Sequence, residues 1–133
     1  IGCQLAGHSG NVKSLEMLFD GKLASISSDG NLFLWNLNTC EIYYRFTTNN
    51  SLYHYYLKQL SNGFLLSSGL NGIQVYDLDS RILIKTYASI DRGIHVLDEL
   101  KNGTIVSASY DGTVRLWNLN ENASIGMISF YYN

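Results

Sequence analysis

His8, Ser25 and Asp29 are the residue types of a nucleophilic triad, in which a hydroxyl attacks, an imidazole takes its proton and a carboxylate orients the ring. That chemistry needs a serine on an exposed, strained turn beside oxyanion donors, and no G-x-S-x-G element surrounds Ser25. No catalytic residue is therefore expected. His54 and His95 have no further ligands at metal-type spacing, so no metal is expected. The glycine-rich turns lack the G-x-x-x-x-G-K-[ST] phosphate loop, and no cofactor is expected. Cys3 and Cys40 show no C-x-x-C spacing; a disulfide would join them in an oxidising compartment, but nothing else points to one. Two reduced, half-buried thiols are the expectation. Three N-x-S/T sequons, at Asn49, Asn102 and Asn122, are read as chance in a chain rich in Asn and Ser.

The elements that must position these residues repeat. GKLASISSDGNLFLWNL, GFLLSSGLNGIQVYDL and GTIVSASYDGTVRLWNL are three versions of one segment, anchored by Trp35, Tyr76 and Trp117 at a spacing of 41. A period of about 40–45 residues with an aromatic closing an apolar run is the pattern of four-stranded propeller blades. In each copy, two turn glycines lie nine apart (Gly21 and Gly30, Gly63 and Gly72, Gly103 and Gly112). Asp29-Gly30 and Asp111-Gly112 between apolar runs predict tight hairpins, because such turns need residues that tolerate positive φ.

In the first repeat the expected strands cover residues 12–18, 23–27, 32–37 and 41–46. Ile42, Tyr44 and Phe46 are expected on one face of the last strand, with Tyr43 and Arg45 on the other. Third strands are expected at 73–78 and 113–119. The absence of proline leaves every strand uninterrupted.

Composition narrows the partner class. Of 133 residues, 46% are apolar and only 15% are charged, with a net charge of −2. Ten tyrosines and five phenylalanines favour strands. No basic block supplies the electrostatic footprint of a nucleic-acid binder, so nucleic acid is not expected as a partner. No apolar run approaches the roughly 18 residues of a membrane helix, so no membrane partner is expected either. Neither end resembles a signal peptide.

On these residues the chain resembles the WD-repeat β-propeller family along essentially its whole length. Gly7-His8 resembles the family's Gly-His pair, and Trp35-Asn36, Tyr76-Asp77 and Trp117-Asn118 its Trp-Asp pair. The resemblance implies a hydrogen-bonded structural tetrad of His8, Ser25, Asp29 and Trp35 in the first repeat. In the third it implies Ser107, Asp111 and Trp117, with Ile90 where the histidine would stand. The second keeps Ser67 and Asn71, with Asn50 near the histidine position and Tyr76 replacing Trp. The first repeat is thus expected to be the best locked and the second the loosest.

The implied fold is all-β: a propeller segment of three four-stranded antiparallel blades (7–47, 48–88 and 89–133) within one domain, 1–133. Residues 1–6 are read as the outer strand of a preceding blade, with Ile1–Leu5 as its body. The stretch 123–131 is read as the outer strand of the third blade. Three blades cannot close a ring of roughly four to eight. A fragment of a longer propeller is expected, with a half-propeller that homodimerises into six blades as the alternative.

The implied function is an intracellular, cytoplasmic or nuclear, protein–protein interaction scaffold presenting a rim to a protein or peptide. The other reading is an accessory propeller domain of a larger enzyme or regulatory protein. By resemblance the rim comprises Asn11, Lys13 and Ser28, then Tyr53, Tyr55 and Leu70, then Gly93, His95 and Tyr110. Tyrosines give large contact area at low rotamer entropy. The run Tyr53-His54-Tyr55-Tyr56 is equally readable as core filling.

Overall fold

In the computed structural model, described residues are 2–47, 54–70, 72–88, 93–121 and 124–129, with backbone alone for Thr47, His54, Tyr55, Ser124, Ile125 and Ile128. Twelve strands form three antiparallel four-stranded sheets, each in simple sequence order. The first holds β1 (Val12–Met17), β2 (Leu23–Ser27), β3 (Asn31–Asn36) and β4 (Glu41–Thr47). The second holds β5 (His54–Gln59), β6 (Leu65–Gly69), β7 (Gly72–Asp77) and β8 (Ile82–Tyr87). The third holds β9 (Ile94–Glu99), β10 (Ile105–Ser109), β11 (Thr113–Trp117) and β12 (Ser124–Ser129). Such a meander places the start of the first strand and the second hairpin turn on one edge, here the upper edge. The other two turns of each sheet lie on the lower edge.

The Asp-Gly turns form as their chemistry requires. Gly30 adopts φ 82°, its N–H closes onto Ser27 O at 3.1 Å, and Asp29 Oδ1 accepts from Asn31 N–H at 2.8 Å. Gly93 shares the positive φ, 85°, and has a second reason to be glycine: a Cβ there would lie 3.0 Å from Leu70 Cα in the neighbouring sheet.

The core lies in two seams between sheets. In one, Leu18, Ala24, Ile26, Leu32, Leu34 and Phe46 of the first sheet meet Leu57, Leu65 and Tyr76 of the second. In the other, Leu66, Ile73, Val75 and Tyr87 of the second meet Leu97, Ile105 and Trp117 of the third. The second blade therefore buries one face against its predecessor and the opposite face against its successor, while the first and third blades are each covered on one face only.

Two strand expectations change. Residues 2–7 form no strand, because no described strand lies alongside to pair with them. Ile42 does not share a face with Tyr44 and Phe46. A β-bulge at Tyr43 pairs Tyr44 with Leu34 and Ile42 with Trp35, so the extra residue flips the alternation. Tyr44 and Phe46 accordingly enter the seam with the second sheet, while Ile42 reaches Gly7 on the far side.

The seams are also tied by polar groups. On the inner row, Leu57 N–H donates to Ser14 Oγ at 3.1 Å and Gln59 N–H to Glu16 Oε1 at 2.9 Å. Lys58 pairs with Asp98 at 3.1 Å. On the lower edge, Phe19 N–H donates to Gln59 Oε1, and both Ser61 N–H and its hydroxyl donate to Glu99. Around the outside, the Arg81 guanidinium donates to Tyr43 Oη at 2.7 Å, while Lys85 Nζ donates to the carbonyls of Leu119 and Glu121 at 2.9 and 2.7 Å.

Candidate functional site: a locked blade and an upper rim

The first sheet brings His8, Ser25, Asp29 and Trp35 into one hydrogen-bonded chain. Trp35 Nε1 donates to Ser25 Oγ at 2.7 Å, so the serine proton is directed to His8 Nε2, also 2.7 Å away. That leaves His8 Nδ1–H for Asp29 Oδ2 at 3.0 Å. Asp29 further accepts from the N–H groups of Ser9 and Asn31 at 2.8 Å each. Burial raises its pKa, but the hydrogen bonds from Asn31, Ser9 and His8 outweigh burial and hold the carboxyl below its ordinary 3.8. His8 stacks on Phe33 with ring centroids 4.2 Å apart, which fixes the imidazole plane.

The order Ser–His–Asp is that of a hydrolytic triad, yet Ser25 is only 2% exposed and its oxygen already accepts an indole proton. A substrate carbonyl has no approach to it. Among the described residues no group of three His, Cys, Asp or Glu could hold a metal ion.

In the other two blades Ser67 and Tyr76, and Ser107, Asp111 and Trp117, bond together with Gln74, Thr113 and Arg115, three residues that the sequence reading missed. Ser25, Ser67 and Ser107 sit at one register position, and the residues paired with them are Phe33, Gln74 and Arg115. In the second blade, Tyr76 Oη donates to Gln74 Oε1 at 2.8 Å and the Ser67 hydroxyl to the same oxygen at 3.4 Å. Burial pushes the Tyr76 phenol up to about 12, with the hydrogen bond to Ser67 working the other way. In the third, Trp117 Nε1 donates to Ser107 Oγ at 2.8 Å. Asp111 takes Thr113 N–H and hydroxyl on one oxygen and Arg115 on the other, at 3.3 Å. Asn50, Asn71 and Ile90 lie outside the described residues.

The expected rim falls on the upper edge. Lys13, Tyr55 and His95 are each the extra residue of a β-bulge: pairing runs from Val12 to Ser14, from His54 to Tyr56 and from Ile94 to Val96. A bulge re-aims a side chain away from the sheet plane. Asn11 and Ser28 are joined by two hydrogen bonds of 2.9 Å, Asn11 N–H to Ser28 Oγ and Ser28 N–H to Asn11 O. Gly93 and Tyr110 occupy the matching places in the third blade, where Tyr110 N–H meets Gly93 O at 3.3 Å. Leu70 packs under Gly93, and the His95 and Tyr110 rings lie 4.4 Å apart. Tyr53 and the side chain of Tyr55 lie outside the described residues, as does the side chain of His54.

Cys3 and Cys40 are not reduced thiols, contrary to the sequence expectation; they are joined as a disulfide with Cα atoms 6.1 Å apart. Thirty-seven residues separate them in sequence, so their proximity depends on how the leading segment folds back.

Three repeated antiparallel blades with an aromatic–serine lock define a β-propeller of the WD type. The family model described as "WD domain, G-beta repeat" matches residues 2–36 and 83–118, more than half of the chain, and the chain belongs to that family. Among curated proteins it is 32% identical over 126 residues to the U3 small nucleolar RNA-associated protein 12 of Saccharomyces cerevisiae, covering 92% of this chain and 13% of that protein. Among solved structures it is similar to the WD40 repeats of RRP9 (TM-score 0.85, 19% identity, 95% of this chain and 41% of that one). It is also similar to the WD40 propeller domain of Doa1 (TM-score 0.83, 23% identity, 95% and 43%). The chain thus spans less than half of the solved propellers and a small part of its curated relative.

Proposed function

We propose that the chain is a non-catalytic scaffold whose upper rim engages a protein or peptide partner. The carrying observation is that Lys13, Tyr55 and His95 occupy the same backbone bulge position at the upper edge of three successive blades, one row on a stiff frame. Around them, Tyr110 is of the residue type enriched among interface anchors, and Asn11, Ser28 and Leu70 complete the surface. The name of the yeast relative, a nucleolar RNA-associated protein, favours an intracellular, nuclear setting and a partner within an RNA-containing assembly.

The test compares two surface variants. Lys13→Ala with Tyr55→Ala and Tyr110→Ala should weaken partner capture by about 30-fold or more, a loss of roughly 2 kcal/mol. Phe19→Ser with Lys101→Ala, on the lower edge, should leave capture intact. Equal capture by all three forms removes the rim reading. Strong salt dependence with RNA as the captured species would assign the surface to nucleic acid instead.

The two end faces are read as seats for further blades of the same propeller. Leu15 is 58% exposed, whereas Leu57 and Leu97, in register with it in the next two blades, are each 1% exposed under a preceding blade. Continuity with those two seams favours another blade as the occupant. A second copy closing a six-bladed ring is the rival, and a discrete two-chain mass for the full chain would select it.

A further inference from the structure

We propose that Cys3 and Cys40 form a thiol–disulfide exchange site, a redox-responsive staple between the leading segment and the first blade. Its position is the argument. Cys3, Tyr44 and Lys85 are 41 residues apart, and each reaches the lower-edge turn between the third and fourth strands of a blade. Tyr44 Oη donates to Arg81 O at 3.4 Å, and Lys85 Nζ to Glu121 O at 2.7 Å. Cys40 and Arg81 are likewise 41 apart and are the two described non-glycine residues with positive φ, both 60°. One latch point thus recurs around the arc, reversible by hydrogen-bond exchange in two places and covalent in the third.

The two sides of the staple are held unequally. The turn bearing Cys40 stands on its own: Cys40 N–H donates to Asn36 O at 2.8 Å, and Asn36 Oδ1 accepts from Asn38 and Thr39. Residues 2–6 have no ladder, and the next anchors along the chain are Gly7, packed near Ile42 and Trp35, and His8 with its lock. Cys3 is exposed and Cys40 half-buried, so an attacking thiolate has access to the Cys3 sulfur. Opening consumes two glutathione thiols, forms glutathione disulfide and leaves two protein thiols. Closing reverses this: the two protein thiols pass two electrons and two protons to glutathione disulfide, whose S–S bond breaks to give two glutathione thiols as the Cys3–Cys40 bond forms. Opening would loosen residues 2–11, and with them the Ser9 N–H bond to Asp29 and the rim residue Asn11, while the second and third blades stay unchanged.

The test equilibrates the full chain in glutathione buffers running from reduced to oxidised. Thiols are then counted by alkylation and mass, and hydrogen exchange is followed over residues 4–11. The expected result is one Cys3–Cys40 disulfide at the oxidised end. Exchange at the Ser9 and Asn11 amides should rise on the order of 10-fold on reduction. Cys3→Ser and Cys40→Ser should each exchange like the reduced parent at every poise. The proposal is overturned by two free thiols across the whole series, by exchange that ignores the bond, or by redox-dependent exchange surviving in either serine variant.

Discussion

Ser25 shows how burial decides between chemistry and structure for one set of residue types. The same three groups that would cleave an ester in an open site here spend every proton on one another, and the indole of Trp35 occupies the lone pair a nucleophile would use. Breaking the chain leaves a nearly buried partner unsatisfied, which costs about 1–3 kcal/mol. Asp29→Asn should therefore lower stability by that order in a denaturant titration at neutral pH. The pH dependence has a definite sign. A carboxyl held below its ordinary 3.8 in the folded chain contributes fully above that pH, and the contribution is lost as pH falls below it. Denaturation midpoints measured from neutral pH down through 3 should converge for parent and Asp29→Asn at the acid end. A gap that stays constant would mean that the charge of Asp29 is not what the lock uses.

Elements carry the second layer of order, and here the sequence was legible in part. The 41-residue spacing and the Asp29-Gly30 hairpin specify three meanders, because both are local patterns. The bulges at Lys13, Tyr43 and His95 were not legible, since an extra residue exists only relative to the strand opposite it. Gln74 escaped notice for the same reason, since its bond to Ser67 depends on cross-strand pairing, whereas Arg115 bonds Asp111 four residues earlier on its own turn and strand. The Cys3–Cys40 bond needed the fold-back of a segment that has no strand signal of its own. The seams depend on outer-strand residues reaching the next turn. Lys85→Ala should cost about 1 kcal/mol in thermal or chemical denaturation by freeing the Leu119 carbonyl and leaving Glu121 O to the Tyr87 hydroxyl alone. Lys85→Met, which keeps the stem but not the donor, should lose nearly as much; full retention by Met would assign the effect to packing.

At the scale of the molecule, three blades make an arc whose end faces repeat the apolar pattern of its inner seams. Leu15, Met17 and Val12 at one end are exposed, and Leu100 at the other is 45% exposed although Leu60, at the corresponding turn of the second blade, is 1% exposed. Apolar surface of that extent favours association. Sedimentation of this chain alone should show a concentration-dependent mass above that of one chain, and Leu15→Glu should weaken the association by on the order of 10-fold. A sharp one-chain mass at high concentration would mean that the end faces need no cover. The central claim concerns the edge rather than the ends, and hydrogen exchange with and without bound partner tests it most directly. Protection confined to the upper edge around residues 11–13, 28, 93–95 and 110, with the lower-edge turns 18–22 and 100–104 unchanged, is the predicted result. Protection of the lower turns with the upper edge untouched would contradict it.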